Sequence, residues 1–153
     1  MHRLYENQDI SVFWNSDKCR HARRCVTGCP QVFDFTRKPW IDLSKDETQN
    51  IWKAIKECPS GALDIVYNHE IIVKPDKENH RSIAMDKDMI IGECDYTEDD
   101  ESITIYHTEV NGEYGGKGIA KRLVYKVLEE ADRACKKIAS TCSYATKYLK
   151  NNS

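Results

Sequence analysis

The cysteine spacing in the first part of the chain limits its fold more than any other feature. Residues 19–30 read Cys-Arg-His-Ala-Arg-Arg-Cys-Val-Thr-Gly-Cys-Pro, and Cys58-Pro59-Ser60-Gly61-Ala62-Leu63 follows far downstream. Bacterial iron–sulfur sequences use the run C-x2-C-x2-C-x3-C-P. Here Ala22 stands at the second cysteine position, which leaves Cys19, Cys25 and Cys29 in the run. Closely spaced thiolates let one loop wrap a metal cluster while backbone N–H groups turn toward its sulfurs. A remote thiolate pins a second segment, and Pro59 stiffens that turn. Thiolates also suit zinc, but a zinc ribbon needs two close pairs and the missing cysteine removes one of them. The structural alternative is four ordinary buried thiols.

Composition favours ligation over disulfides. Seven cysteines among 153 residues is an odd number, and the N-terminus lacks the apolar core of a signal peptide, so a reducing cytoplasm is expected. Lys and Arg number 23 against 25 Asp and Glu, which provides no global basic field for nucleic acid. No apolar run reaches the ~18–20 residues of a membrane span.

The pattern predicts an α+β protein of two small domains, with residues 1–68 and 80–153 separated by a linker at 69–79. Residues 10–14 alternate like an edge strand, and residues 46–57 place Ile51, Trp52 and Ile55 at helical spacing behind Asp46 as a cap. Ala62 to Tyr67 reads as a closing strand. In the second part, residues 81–85, 89–96 and 101–110 read as successive antiparallel strands. Residues 117–135 form the clearest helix, with Ile119, Leu123, Val124, Val127, Leu128 and Ala131 along one face. Lys137 to Thr141 reads as a strand and Ser143 to Lys150 as a short last helix.

The segment 10–67 resembles the divergent single-cluster iron–sulfur domain of small bacterial proteins. The resemblance rests on Cys19-Arg20-His21, Cys25-Val26-Thr27-Gly28, Val32-Phe33-Asp34, Pro39-Trp40-Ile41 and Cys58-Pro59-Ser60-Gly61-Ala62-Leu63. It implies a small ferredoxin-like domain with Cys19, Cys25 and Cys58 as cluster ligands. The fourth position stays open: Cys29 would complete a [4Fe–4S] cluster, His21 would give mixed ligation, and no fourth protein ligand would leave a [3Fe–4S] centre. Arg20, Arg23 and Arg24 would either offset the cluster's negative charge or remain solvated.

Residues 113–122 read Glu-Tyr-Gly-Gly-Lys-Gly-Ile-Ala-Lys-Arg, between a predicted strand and the long helix. Glycines that free the backbone, followed by unpaired N–H groups at a helix start, suit a pyrophosphate. Lys117, Lys121 and Arg122 add positive charge. The spacing is neither a Walker loop nor a dinucleotide fingerprint. Together with His107-Thr108-Glu109-Val110 and Cys142-Ser143-Tyr144-Ala145, this loop resembles the minimal subfamily of GNAT acetyltransferases over about residues 80–150. The resemblance implies an antiparallel sheet with a long helix and an acetyl-CoA site. Gly115, Gly116, Lys117, Gly118, Ile119, Ala120 and Lys121 would border the pyrophosphate, and the pantetheine arm would pair with the strand from Thr108 to Val110. Gly115 occupies a position where that family usually has Arg or Gln.

Acetyl transfer to an amine needs a base, donors for the oxyanion and an acid for the leaving thiolate. Simple alternation puts Ile103, Ile105, His107 and Glu109 on one face, with His107 or Glu109 as the base. The resemblance makes Cys142 a candidate nucleophile, and Tyr144 or Tyr148 could protonate the CoA sulfur. Each of these also has a packing role as its alternative; Cys94 and Cys135 have no assigned chemistry. Residues 76–113 carry 3 basic against 12 acidic side chains, which would suit a cationic amine acceptor of unknown identity or simply a solvated face. The rival reading is a non-enzymatic ferredoxin-like redox or sensor protein, with a redox partner protein, whose second domain is a CoA-binding or interaction module.

Overall fold

The computed structural model describes residues 2–16, 28–58 and 61–142. The predicted last helix, and with it Tyr144 and Tyr148, lies outside these residues, as do Cys19, His21 and Cys25. The strands are β1 (His2–Glu6), β2 (Ile10–Asn15), β3 (Leu63–Tyr67), β4 (Ile72–Asp76), β5 (Arg81–Asp86), β6 (Met89–Glu98), β7 (Ser102–Val110) and β8 (Lys137–Ser140). The helices are α1 (Thr48–Lys56) and α2 (Ile119–Arg133). One sheet has the order β1-β2-β3 and the other β4-β5-β6-β7-β8. All neighbours are antiparallel except β7 and β8, which are parallel and joined through α2.

The α+β class is as expected, and three local readings change. β2 is the central strand of its sheet rather than an edge, because β1 pairs with it from His2 to Glu6. The stretch expected as a linker contains β4, which pairs with β5 from Ile72 to Asp76. The α1 cap position falls at Glu47; Asp46 instead accepts from the Asn50 side chain at 2.8 Å.

A fourth difference affects the site. Across β6 and β7, Ile105 pairs with Tyr96 but His107 pairs with Asp95, so Tyr106 is an extra residue on β7. Such a bulge shifts every later side chain to the other face. Ile103 and Ile105 therefore share the α2 face with Thr108 and Val110, while His107 and Glu109 turn away from it.

Period two alternation organises the first sheet. Ile10, Val12, Trp14, Leu63 and Ile65 face α1 and the loop residues Val32, Phe33 and Ile41. Leu4 and Phe13 face α2 and join its core with the five-stranded sheet. The helix α2 is thus buried on two sides: Ile119, Leu123 and Val127 meet the second sheet, and Phe13 meets Tyr125 edge-on at 4.9 Å.

Polar contacts join the same surfaces. Arg122 is buried and donates to Glu6 Oε2 through Nη2 at 2.7 Å and Nε at 3.1 Å, and to the Ile71 carbonyl at 2.9 Å. Lys126 lies 3.2 Å from Glu6 Oε1. The Leu4 N–H donates to Glu129 Oε2 at 2.9 Å, and the His2 N–H donates to Asp132 at 2.6 Å. Burial alone would push the Glu6 carboxyl up, but Arg122, Ser11 and Lys126 outweigh it and hold it below its ordinary value of 4.5.

Removing one partner of a buried ion pair strands the other charge. We expect Glu6→Gln to lose about 3 kcal/mol of stability in urea unfolding at neutral pH. A depressed carboxyl stabilises the fold above its ordinary value and loses that contribution as pH falls through the folded value. The difference between Glu6→Gln and the wild type should therefore shrink below about pH 4.5.

Candidate functional site

The structure has two candidate centres. The first lies around α1. Gly28 packs so closely on this helix that a Cβ there would stand 3.0 Å from Ala54 Cβ. The cysteine loop thus ends against the helix that leads into Cys58, whose N–H donates to the Ile55 carbonyl at 3.0 Å. Cys58 is half-buried and borders the apolar cluster without being enclosed by it. That position suits a thiolate ligand.

Cys29 has different surroundings. It is fully buried among Val32, Phe33 and Ile51, and its Sγ lies 3.5 Å from Asp46 Oδ2. Burial first, and then Asp46, push its thiol up to about 11. To act as a fourth thiolate it would have to leave both the apolar pocket and the carboxylate. Among the described residues no three His, Cys, Asp or Glu side chains converge on a metal-sized site.

The second centre lies where β7 outruns β8. Pairing between them covers Ser102 to Ile105, and the Thr141 N–H still donates to the Ile105 carbonyl at 2.9 Å. Beyond that point, Thr108 to Val110 pair with β6 on one side and with no strand on the other, among the described residues. The glycine loop follows directly. Gly116 and Gly118 have φ of +77° and +75°, a left-handed backbone that glycine adopts without strain. Gly118 caps α2, whose first-turn N–H groups lack partners within the helix. Gly115, Gly116, Lys117, Gly118, Ile119, Ala120 and Lys121 thus follow Thr108 to Val110 in the chain across one short turn, Gly112–Tyr114.

The three candidate catalytic residues do not converge. Cys142 Sγ lies 3.6 Å from Thr108 Oγ1, which in turn donates to Cys94 Sγ at 3.6 Å, so the thiols share the α2 face. Burial pushes the Cys94 thiol up to about 12. His107 and Glu109 lie on the opposite, exposed face, with His107 Nε2 3.3 Å from Glu109 Oε2.

On that exposed face the structure adds two residues that sequence reasoning missed. Glu93 pairs with Glu109 across the ladder and Asp95 pairs with His107. Burial, followed by the hydrogen bond and charge of Glu93, pushes the Asp95 carboxyl up to about 6, against the pull of His107 and Arg81. The alternation Glu93-Cys94-Asp95 was the available signal. A cavity of about 390 Å³ runs from Glu93 and Glu109 to Val110 and Gly112, at the mouth of the glycine loop.

Residues 5–68 match the model of the divergent 4Fe-4S mono-cluster family, and residues 82–153 match GCN5-related N-acetyl-transferase. The two matches divide the chain between them. The chain is 38% identical to the Escherichia coli K12 protein YjdI over 69 residues, which is 45% of this chain and 88% of that one. The solution structure of a GCN5-like protein from Staphylococcus aureus is 29% identical, with a TM-score of 0.41, and covers 52% of this chain and 78% of that chain. An Elizabethkingia anophelis GNAT family acetyltransferase with acetyl-CoA bound is 22% identical, with a TM-score of 0.38, and covers 51% of this chain and 60% of that chain. In this GCN5-related half, a carboxyl with a raised pKa favours the folded state at low pH and loses that preference as pH rises through the folded value. Asp95→Asn should therefore gain stability relative to wild type between about pH 4 and pH 6, the window set by the ordinary 3.8 and the folded value near 6. Urea unfolding across that range checks it; carboxyl carbon-13 titration should also show Glu93→Gln bringing Asp95 down.

Proposed function

We propose that the protein is an acetyl-CoA-dependent N-acetyltransferase whose transferase half is built on an iron–sulfur domain. The observation that carries this reading is the edge of Thr108 to Val110, which pairs with no second strand among the described residues and is followed in the chain by the glycine loop. A strand edge offers N–H and C=O groups that match the amides of a pantetheine arm, and the start of α2 offers N–H donors and a positive dipole end to phosphates. A thioester laid along the edge would have its carbonyl carbon near the sheet plane.

An amine would approach from the exposed face, past Glu93, Asp95, His107 and Glu109. One of these groups takes the ammonium proton, and the nitrogen lone pair attacks the thioester carbon. The C–S bond then breaks, and CoA leaves as a thiolate that takes up a proton. The groups on the exposed face are not placed to deprotonate Cys142, whose sulfur meets Thr108 on the other side. That separation favours direct transfer over an acetyl-cysteine step.

In the first half, Cys19, Cys25 and Cys58 would hold the cluster, with Cys29 or His21 as the fourth candidate. A bound cluster there supplies one-electron chemistry or a staple between the cysteine loop and the end of α1.

Calorimetric titration of the anaerobically purified protein with acetyl-CoA tests the transferase reading. Binding is expected for the wild type, and Gly116→Val, which forces a β-branched residue into a left-handed backbone, should weaken it by at least about tenfold. No heat and no thermal shift at millimolar acetyl-CoA would overturn the reading. Separately, Cys58→Ser should lower iron and acid-labile sulfide together and bleach visible absorbance.

A further inference from the structure

The glycine loop does not stand clear of the first domain. A Cβ on Gly118 would lie 2.7 Å from Val66 Cγ1, so the loop rests directly on β3. Two positions earlier on the same face of that strand, Asp64 Oδ2 lies 2.5 Å from Lys121 Nζ, in the first turn of α2. The Lys121 ammonium also sits over the Phe13 ring, 4.6 Å from its centroid. Only 19% of the Lys121 side chain and 38% of the Asp64 side chain is exposed, so solvent screens this pair less than a free surface pair. On its other side, Asp64 Oδ1 lies 4.0 Å from Lys56 Nζ, at the end of α1.

We infer that Asp64 is a latch through which the iron–sulfur domain regulates the acetyl-CoA site, by occupying the lysine that the glycine loop needs for a phosphate. This rests on the acetyl-CoA reading above. A carboxylate and a phosphate oxygen compete for the same ammonium. While Asp64 holds Lys121, the site carries a fixed negative charge where the ligand brings its own. Lys56 gives Asp64 a second cation to turn to, so release of Lys121 does not leave the carboxylate alone. Asp64 thus bridges two lysines at once, one from each domain, and its carboxylate keeps Lys56 when Lys121 turns to a phosphate. Lys56 and Asp64 flank Cys58 in sequence, which places the exchange beside a candidate cluster ligand. A fraction of protein held in the latched form lowers apparent affinity by that fraction.

The test is acetyl-CoA titration of the full-length protein and three variants at low and physiological salt. Asp64→Asn, which keeps the shape and removes the charge, should bind acetyl-CoA about fivefold more tightly. In a Lys121→Gln background the same exchange should have no effect, because the latch has nothing to hold. Lys56→Gln should bind more weakly than wild type, since Asp64 loses its alternative partner. A tighter Asp64→Asn that loses its advantage in the Lys121→Gln background supports the latch. Equal or weaker binding by Asp64→Asn, with wild type binding normally, overturns the latch and leaves the acetyl-CoA reading standing. No binding by any of the proteins overturns both. Thermal unfolding of each variant identifies any that fail to fold, and Lys56→Gln, an exposed change on α1, then decides: unchanged or tighter binding overturns the latch.

Discussion

The helix α2 needs two sheets, and Arg122 shows why. Most helices in small domains bury one stripe and leave the rest in water. Here a guanidinium in the first turns is fully enclosed and must be neutralised by Glu6, which belongs to the other family domain. The arrangement is costly, since Arg122 Nη1 has no hydrogen-bond partner among the described residues. Buried ion pairs seldom add net stability, because desolvation cancels much of the attraction. What this pair does supply is orientation. A guanidinium that bonds both Glu6 and the Ile71 carbonyl leaves only one seating of β1 against α2 in which every charge is met. The two halves therefore share a core rather than a tether. Relative domain motion, the usual expectation for joined domains, is opposed by an interface that contains Leu4, Phe13 and Tyr125.

Much of this architecture was legible in the sequence, and the exceptions have physical reasons. The period of Ile119, Leu123, Val127 and Ala131 is strong, so α2 was found; its second buried face was not, because Arg122, Tyr125 and Glu129 are polar or amphipathic and their burial depends on partners far away in the chain. β1 alternates only weakly, and β4 contains Pro75 within a run of charges, which lowers its strand signal although an edge strand tolerates proline. The bulge at Tyr106 was invisible because bulges leave no periodic mark of their own. Its effect is large: strict alternation groups His107 with Ile105, whereas the real register groups Thr108 with Ile105 and puts the thiols, not the imidazole, on the helix side. The glycine loop was legible for the opposite reason: it depends on local backbone demands, the positive φ of Gly116 and Gly118, that spacing records directly.

The bulge also divides the side chains of the second half between two environments. On the helix side, Cys94, Thr108 and Cys142 form a chain of weak hydrogen bonds, and burial there pushes the Cys94 thiol up to about 12. On the open side, Glu93 lies opposite Glu109 and Asp95 opposite His107, an arrangement in which like charges raise the cost of the folded sheet. A sheet face that served only to be wet would not need opposed carboxylates. Partial neutralisation by Arg81, which donates to Glu93 at 3.3 Å and to Asp76 at 2.9 Å, limits that cost without removing it. The Asp95 carboxyl, pushed up to about 6, exchanges its proton more readily near neutral pH than the buried Cys94 thiol, pushed up to about 12.

These constraints meet at β3. Its α1-facing residues, Leu63 and Ile65, are locked into the core with Val32, Phe33 and Ile55, while its α2-facing residues, Asp64 and Val66, touch the first turn of α2 and the glycine loop. A paired strand in the middle of a chain of contacts is stiff along its length, so its two faces cannot move independently. Any shift of Cys58 relative to α1 must be absorbed before Leu63 or passed to Asp64. The Asn15 N–H, bonded to the Ala62 carbonyl at 2.8 Å, stiffens the start of the strand against the first of these. A strand anchored in this way transmits displacement better than a flexible linker could, and no segment between the two halves is long enough to decouple them.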